Sequence, residues 1–149
     1  MRLFGCFRSK NYGSILTTAP AAAETIAAFL RDTQTSPCDY DRIFTGDLGR
    51  VGSDVLYELL YRQGIAIRDV HDDCGLLIFD RREQDVHAGG SGIGCCASVL
   101  CSKILGELTD GRLKNVLFVA TGALLSPTSA QQGKTIPSVA HLVQLCGAQ

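Results

Sequence analysis

Residues 115–123, NVLFVATGA, form a near-continuous apolar run, and nothing else in the chain constrains the fold as strongly. The run falls short of the roughly 18 apolar residues of a membrane span, and Gly122 and Pro127 break any extension of it. It is read as a buried strand. After the loop LLSPTSAQQGKTIPS comes a second apolar run, VAHLVQLCGA, and two adjacent strands with a loop between them predict an antiparallel pair at the end of the chain.

Upstream, strands and helices alternate. APAAAETIAAFLRD is predicted as a helix with Pro20 in its first turn and Ala23, Ile26, Ala27 and Leu30 on one apolar stripe. TQTSPCDYD is a loop, DRIFTGD a short strand, and GSDVLYELLYRQG a helix capped by Ser53 or Asp54, with Gly64 just past its end. CGLLIFD is read as the next strand, too continuously apolar for a sheet edge facing water. A third helix is expected from about Gly92 to Leu108, with Ile93, Ala97, Leu100, Ile104 and Leu108 inward. Four strands separated by helices, with a final adjacent pair, imply an α/β layered domain.

The 149 residues suffice for one domain with a real core. Charge is balanced, with 14 Lys and Arg against 15 Asp and Glu, so no global field draws the chain to nucleic acid or to an anionic membrane. The seven cysteines have no framework spacing and mostly lie in or beside apolar runs, which fits a reduced compartment in which thiols serve as small packing volume. The N-terminus lacks the apolar core of a secretory signal.

HAGGSGIGCC (residues 87–96) places four glycines before the third helix. It lacks the Gly-Lys-Ser/Thr ending of a phosphate loop, and it lacks the tight strand-to-helix turn of a dinucleotide fingerprint. Two compatible roles remain: close packing or turn geometry, and backbone N–H groups offered to an anion. His87 stands at the entrance of this stretch. His71, in RDVHDDCG, has Asp69, Asp72 and Asp73 to orient it. His141 reads as a core or interface histidine. His71 and Cys74 have a metal-like local spacing, but no C-x-x-C occurs and no metal site is assigned. Cys95 and Cys96 at a helix start read as packing residues before nucleophiles, and no G-x-S-x-G supports serine hydrolysis. Thr45 and Asp47 follow a buried strand, where pockets of such sheets gather, and Ser126, Thr128 and Ser129 occupy the equivalent loop after the fourth strand.

Three segments together, DYDRIFTGDLGRVGSDVL, HDDCGLLIFDRREQDVHAGGSGIGCCASVL and VLFVATGALLSPTSAQQGKTIPSVAH, resemble the C-terminal half of the stage V sporulation protein AD family, within the thiolase-like superfamily. The likeness covers about residues 19–145. Residues 1–18 do not share it and are set apart as a divergent or poorly ordered N-terminal segment, with 19–149 as the thiolase-like C-terminal domain.

The resemblance implies one half of a five-layer αβαβα arrangement, a mixed sheet with helices packed on it, in a truncated chain. In related condensing enzymes the nucleophilic cysteine comes from the other half. This half brings a histidine at the position that falls in Thr45-Gly46-Asp47, and a histidine or asparagine at one that falls within His87 to Ser91. With no such pair complete, the resemblance implies a binding protein without catalytic residues, cofactor or metal.

It further implies that the ligand is dipicolinic acid, taken up into the developing spore, with Thr45, Asp47, Asp69, His71, His87, Gly89, Gly90, Ser91 and Gly92 as its candidate contacts. The expected partners are membrane proteins of the spore dipicolinate transport system, a second copy or a complementary thiolase-like half, and no nucleic acid. The expected place is the cytoplasm or the cytoplasmic face of a spore membrane, without a transmembrane segment. A thiolase-like acyltransferase completed by a partner half and a vestigial structural fragment are the alternatives.

Overall fold

A computed structural model describes residues 14–80, 82–90, 92–123, 132 and 138–147. The chain order is α1 (Ser14–Thr33), a 3-10 turn (Pro37–Asp39), β1 (Arg42–Thr45), α2 (Gly49–Tyr61), β2 (His71–Asp73), α3 (Cys74–Leu77), α4 (Cys95–Val99), a π turn (Leu100–Ile104), α5 (Leu105–Thr109), β3 (Asn115–Ala123) and β4 (Ser138–Cys146). The strands form one mixed sheet in the order β2-β1-β3-β4. The first three are parallel and β4 runs antiparallel to β3, from Asn115 opposite Cys146 to Ala123 opposite Ser138.

Alternation along the strands divides the core into two. Ile43, Leu117, Val119 and Ala140 pack under α1 and α2, against Ala22, Ile26, Leu30, Leu56 and Leu60. Phe44, Val116 and Phe118 pack on the other face under the α4–α5 rod, against Cys95, Val99, Ile104 and Leu108. The fold is α/β, with helices on both faces of the mixed sheet.

Several expectations are corrected. Residues 74–80 are not a strand: the strand is His71–Asp73, at a sheet edge, and Cys74–Leu77 turn into α3. The cause is Asp73, whose side chain accepts from Gly75 N–H and caps the helical turn at once. Leu77, Ile78 and Phe79 are consequently left 37–40% exposed. Helix α2 begins at Gly49, so Ser53 and Asp54 lie inside it; Ser53 is buried with its hydroxyl unpaired. Helix α1 begins at Ser14, which places Pro20 within the helix and not in its first turn.

The stripe assigned to the third helix is also revised. Ile93 is fully exposed, and Ala97 faces water. The buried residues are Cys95, Val99, Ile104 and Leu108, spaced four, five and four apart. The five-residue step falls on the π turn, which takes up the extra residue and keeps Ile104 and Leu108 on the sheet side. His141 lies exposed on the outer face of β4, outside the core.

Among the described residues, no helix is long and apolar enough to cross a membrane.

Candidate functional site

The parallel register sets Ile43 opposite His71 and Thr45 opposite Asp73. All four side chains therefore share the face covered by α2, and the last pair stands at the strand ends. Asp73 is buried, and its carboxylate accepts four hydrogen bonds. Oδ2 receives the Thr45 hydroxyl at 2.5 Å and Leu48 N–H at 2.9 Å; Oδ1 receives Gly49 N–H at 2.8 Å and Gly75 N–H at 3.0 Å. Burial pushes its pKa upward, and the Thr45 hydroxyl and the three amides oppose that rise. One carboxylate thus ties the starts of both α2 and α3 to the end of β1.

His71 is buried beside it. Its Nε2 lies 2.9 Å from Thr45 Oγ1 and its Nδ1 lies 2.8 Å from Tyr57 OH. Burial pushes the imidazole pKa down to about 4, so the ring is neutral near pH 7.

Asp47, half-buried beyond the end of β1, bridges to β3 and to the glycine stretch. Thr121 Oγ1 donates to its Oδ1 at 2.9 Å, and Gly92 N–H donates to its Oδ2 at 3.1 Å. Asp47 N–H in turn donates to Thr121 Oγ1 at 3.2 Å. The loop before α4 is held close by backbone bonds: Gly90 N–H to Gly75 O at 2.6 Å and Arg50 N–H to Ala88 O at 2.7 Å.

Two glycines outside that stretch make this approach possible. A Cβ on Gly75 would collide with Gly90 O, and one on Gly49, whose φ is +63°, would sit 2.6 Å from Ala88 O.

The candidate contacts separate accordingly. Asp47 and Gly92 meet at the strand-end rim. Thr45 and His71 come together beneath it, buried at 0% and 7% exposure. The N–H groups of Gly89 and Gly90 are engaged inside the chain, with Val86 O and Gly75 O. His87 is exposed, with Nδ1 3.4 Å from the Asp85 carboxylate. Asp69 is exposed in the turn that precedes β2, at the opposite end of that strand from the rim. Ser91, and the donors Ser126, Thr128 and Ser129, lie outside the described residues.

Sequence reasoning passed over Tyr57 and Thr121, and it named Asp73 as an orienter of His71 when its short bond is to Thr45. The alternation His71-x-Asp73 was the available signal, because period two sets both on one strand face.

Two thiols near the rim, Cys74 and Cys95, are held protonated. Burial pushes Cys74 far up, and it pushes Cys95 up to about 11. Among the described residues no group of three or more His, Cys, Asp or Glu side chains could hold a metal ion. The arrangement gathers hydrogen-bonding groups at the strand ends, above a buried His71 and beside two protonated thiols, Cys74 and Cys95.

A family model described as stage V sporulation protein AD (SpoVAD) matches residues 4–146, reaching back into the segment that the resemblance had left apart. Stage V sporulation protein AD of Bacillus subtilis (strain 168) is 50% identical over 123 residues, which is 83% of this chain. The chain spans about a third of that relative's length, the match covering 36% of it. With nearly its whole length matched by the family model and half of the aligned positions identical to that relative, the chain belongs to the stage V sporulation protein AD family.

Proposed function

We propose that the chain is a non-enzymatic sporulation protein of thiolase-like fold, one half of a five-layer αβαβα arrangement, that binds dipicolinic acid and assists its uptake into the developing spore. It works beside membrane proteins of the spore dipicolinate transport system, at the cytoplasmic face. A second copy, or a complementary thiolase-like half, covers the outer face of β4, where Val139 and Val143 are 44% and 49% exposed.

The observation that carries the binding reading is the state of the groups at the strand ends. His71 is sealed between Tyr57 and Thr45, and Cys74 and Cys95 are held as thiols, so these three groups are not poised as nucleophile and base. On one side of the glycine loop the rim holds the Asp47 carboxylate, with the Thr121 hydroxyl and Gly92 N–H bonded to it. On the other side Gly90 lies flush against Ile78 and the Phe79 ring, both partly exposed. A flat aromatic acid needs such a pairing of an apolar surface with a few fixed polar groups.

The Asp47 carboxylate repels a bare dianion, so the test is calorimetric titration with dipicolinate both with and without a divalent cation. Saturable binding between about 1 μM and 1 mM in either condition is expected, weakened by Thr121→Val. Absence of saturable heat in both conditions overturns the reading. Sedimentation at high concentration is expected to show self-association, and a clean monomer counts against the covered β4 face.

A further inference from the structure

We infer that Tyr57 and His71, neither of which reaches the strand-end rim, are positioning residues for it, acting through the direction in which the Thr45 hydroxyl proton points.

The reasoning starts at Asp73. An ionised carboxylate only accepts hydrogen bonds, and two donors at each of its oxygens occupy its lone-pair sites. Thr45 must therefore donate to Asp73. Its single proton is then committed, and its oxygen meets His71 Nε2 as an acceptor. His71 consequently carries its proton on Nε2, and Nδ1 accepts from the Tyr57 hydroxyl.

The donors run in one sense, from Tyr57 to His71 to Thr45 to Asp73. Arg68, its guanidinium 4.2 Å above the Tyr57 ring centroid, stands at the solvent end of this chain.

Beyond Asp73 the chain of bonds reaches the glycine loop in two steps. The carboxylate fixes Gly75, whose carbonyl receives Gly90 N–H, and it fixes Gly49, against which Ala88 O is packed. Two contacts hold the Nε2–H tautomer, the Thr45 oxygen at Nε2 and the Tyr57 hydroxyl at Nδ1, and loss of the hydroxyl removes the second. The other tautomer turns the Thr45 proton away from Asp73 and toward Nε2. The carboxylate then loses its shortest bond, and the loop loses a fixed base.

The role of the rim as a ligand site rests on the reading proposed above. The positioning itself is read without ligand, so the two fail separately.

The test uses the full 149-residue chain. Nitrogen-15 spectra of the wild type are expected to show His71 in a single Nε2–H tautomer. Tyr57→Phe is expected to mix the tautomers and to speed amide exchange at Gly90 and Arg50 about tenfold, with β3 amides unchanged. Thr45→Ser keeps the hydroxyl and is expected to retain slow exchange, whereas Thr45→Val loses it.

A wild-type Nδ1–H tautomer overturns the inference. So does a Tyr57→Phe chain that keeps the single Nε2–H tautomer, or one in which the tautomers mix while Gly90 and Arg50 exchange within about twofold of wild type. If Tyr57→Phe fails to fold, the wild-type tautomer and the Thr45 pair decide.

Discussion

Thr45 and Asp73 face each other across the β1–β2 ladder, and the threonine hydroxyl donates to the carboxylate at 2.5 Å. The same carboxylate holds the first amides of α2 and α3, so the strand ends and two helix starts share one anchor.

Asp73→Asn replaces one accepting oxygen by an NH2 group that confronts donors already in place. The substitution is expected to cost about 2–4 kcal/mol, from buried N–H groups left without a partner. Urea unfolding, read from the shift of midpoint at constant slope, checks it. A loss below about 0.5 kcal/mol would show that the anchor is dispensable.

Stability is expected to fall on acidification through His71. Its folded value of about 4 lies below the ordinary 6.5, so between those pH values the unfolded chain binds a proton that the folded chain does not. The contribution of the neutral ring is fully present above about pH 6.5 and is lost as pH falls toward 4, by about 3 kcal/mol. Asp73, whose pKa is raised by burial, works in the opposite direction at the acid end, because its folded form takes up a proton first. Unfolding midpoints of wild type and His71→Gln across pH 4–7 separate the two. The wild-type slope exceeds that of the variant if the assignment is right.

Gly75→Ala is expected to destabilise by about 2–3 kcal/mol, because the new methyl group meets the Gly90 carbonyl and prises the loop from α3. Gly106→Ala, in α5 with open space around it, is expected to stabilise by about 0.5–1 kcal/mol through helix propensity. Thermal melting of the pair distinguishes packing from composition, since both changes add the same methyl group.

Ile104→Ala is expected to cost about 2–5 kcal/mol, from a cavity under the π turn. Ile93→Ala, at a fully exposed residue, is expected to stay within about 0.5 kcal/mol. Equal losses at the two positions would restore the uninterrupted apolar stripe that the sequence suggests.

Much of the architecture was legible because it rests on local patterning. The run NVLFVATGA coincides with β3, and the last strand and its antiparallel pairing follow from the adjacent apolar run. Where patterning misled, a specific contact had prevailed. CGLLIFD looks like a strand by its apolar continuity, yet Asp73 captures Gly75 N–H and bends the chain after three strand residues. The helix stripe looks regular at steps of three and four, yet the π turn shifts the buried face by one residue.

At the site, residue types were legible and partnerships were not. Thr45, Asp47 and His71 stand out in the sequence because they flank short strands, and the glycines before α4 announce a close approach. Nothing local reveals that Thr121, 74 residues away in the chain, holds Asp47, or that Tyr57 on α2 meets His71.

By itself the sequence determined the alternation of helix and strand, the buried central strand and the family, all of which are carried by residues near one another or by motifs in order. Only the tertiary structure decided which polar groups are enclosed, and therefore which imidazole stays neutral and which amides remain engaged. Desolvation and hydrogen-bond direction depend on neighbours brought in from distant segments, and no stretch of chain specifies those alone.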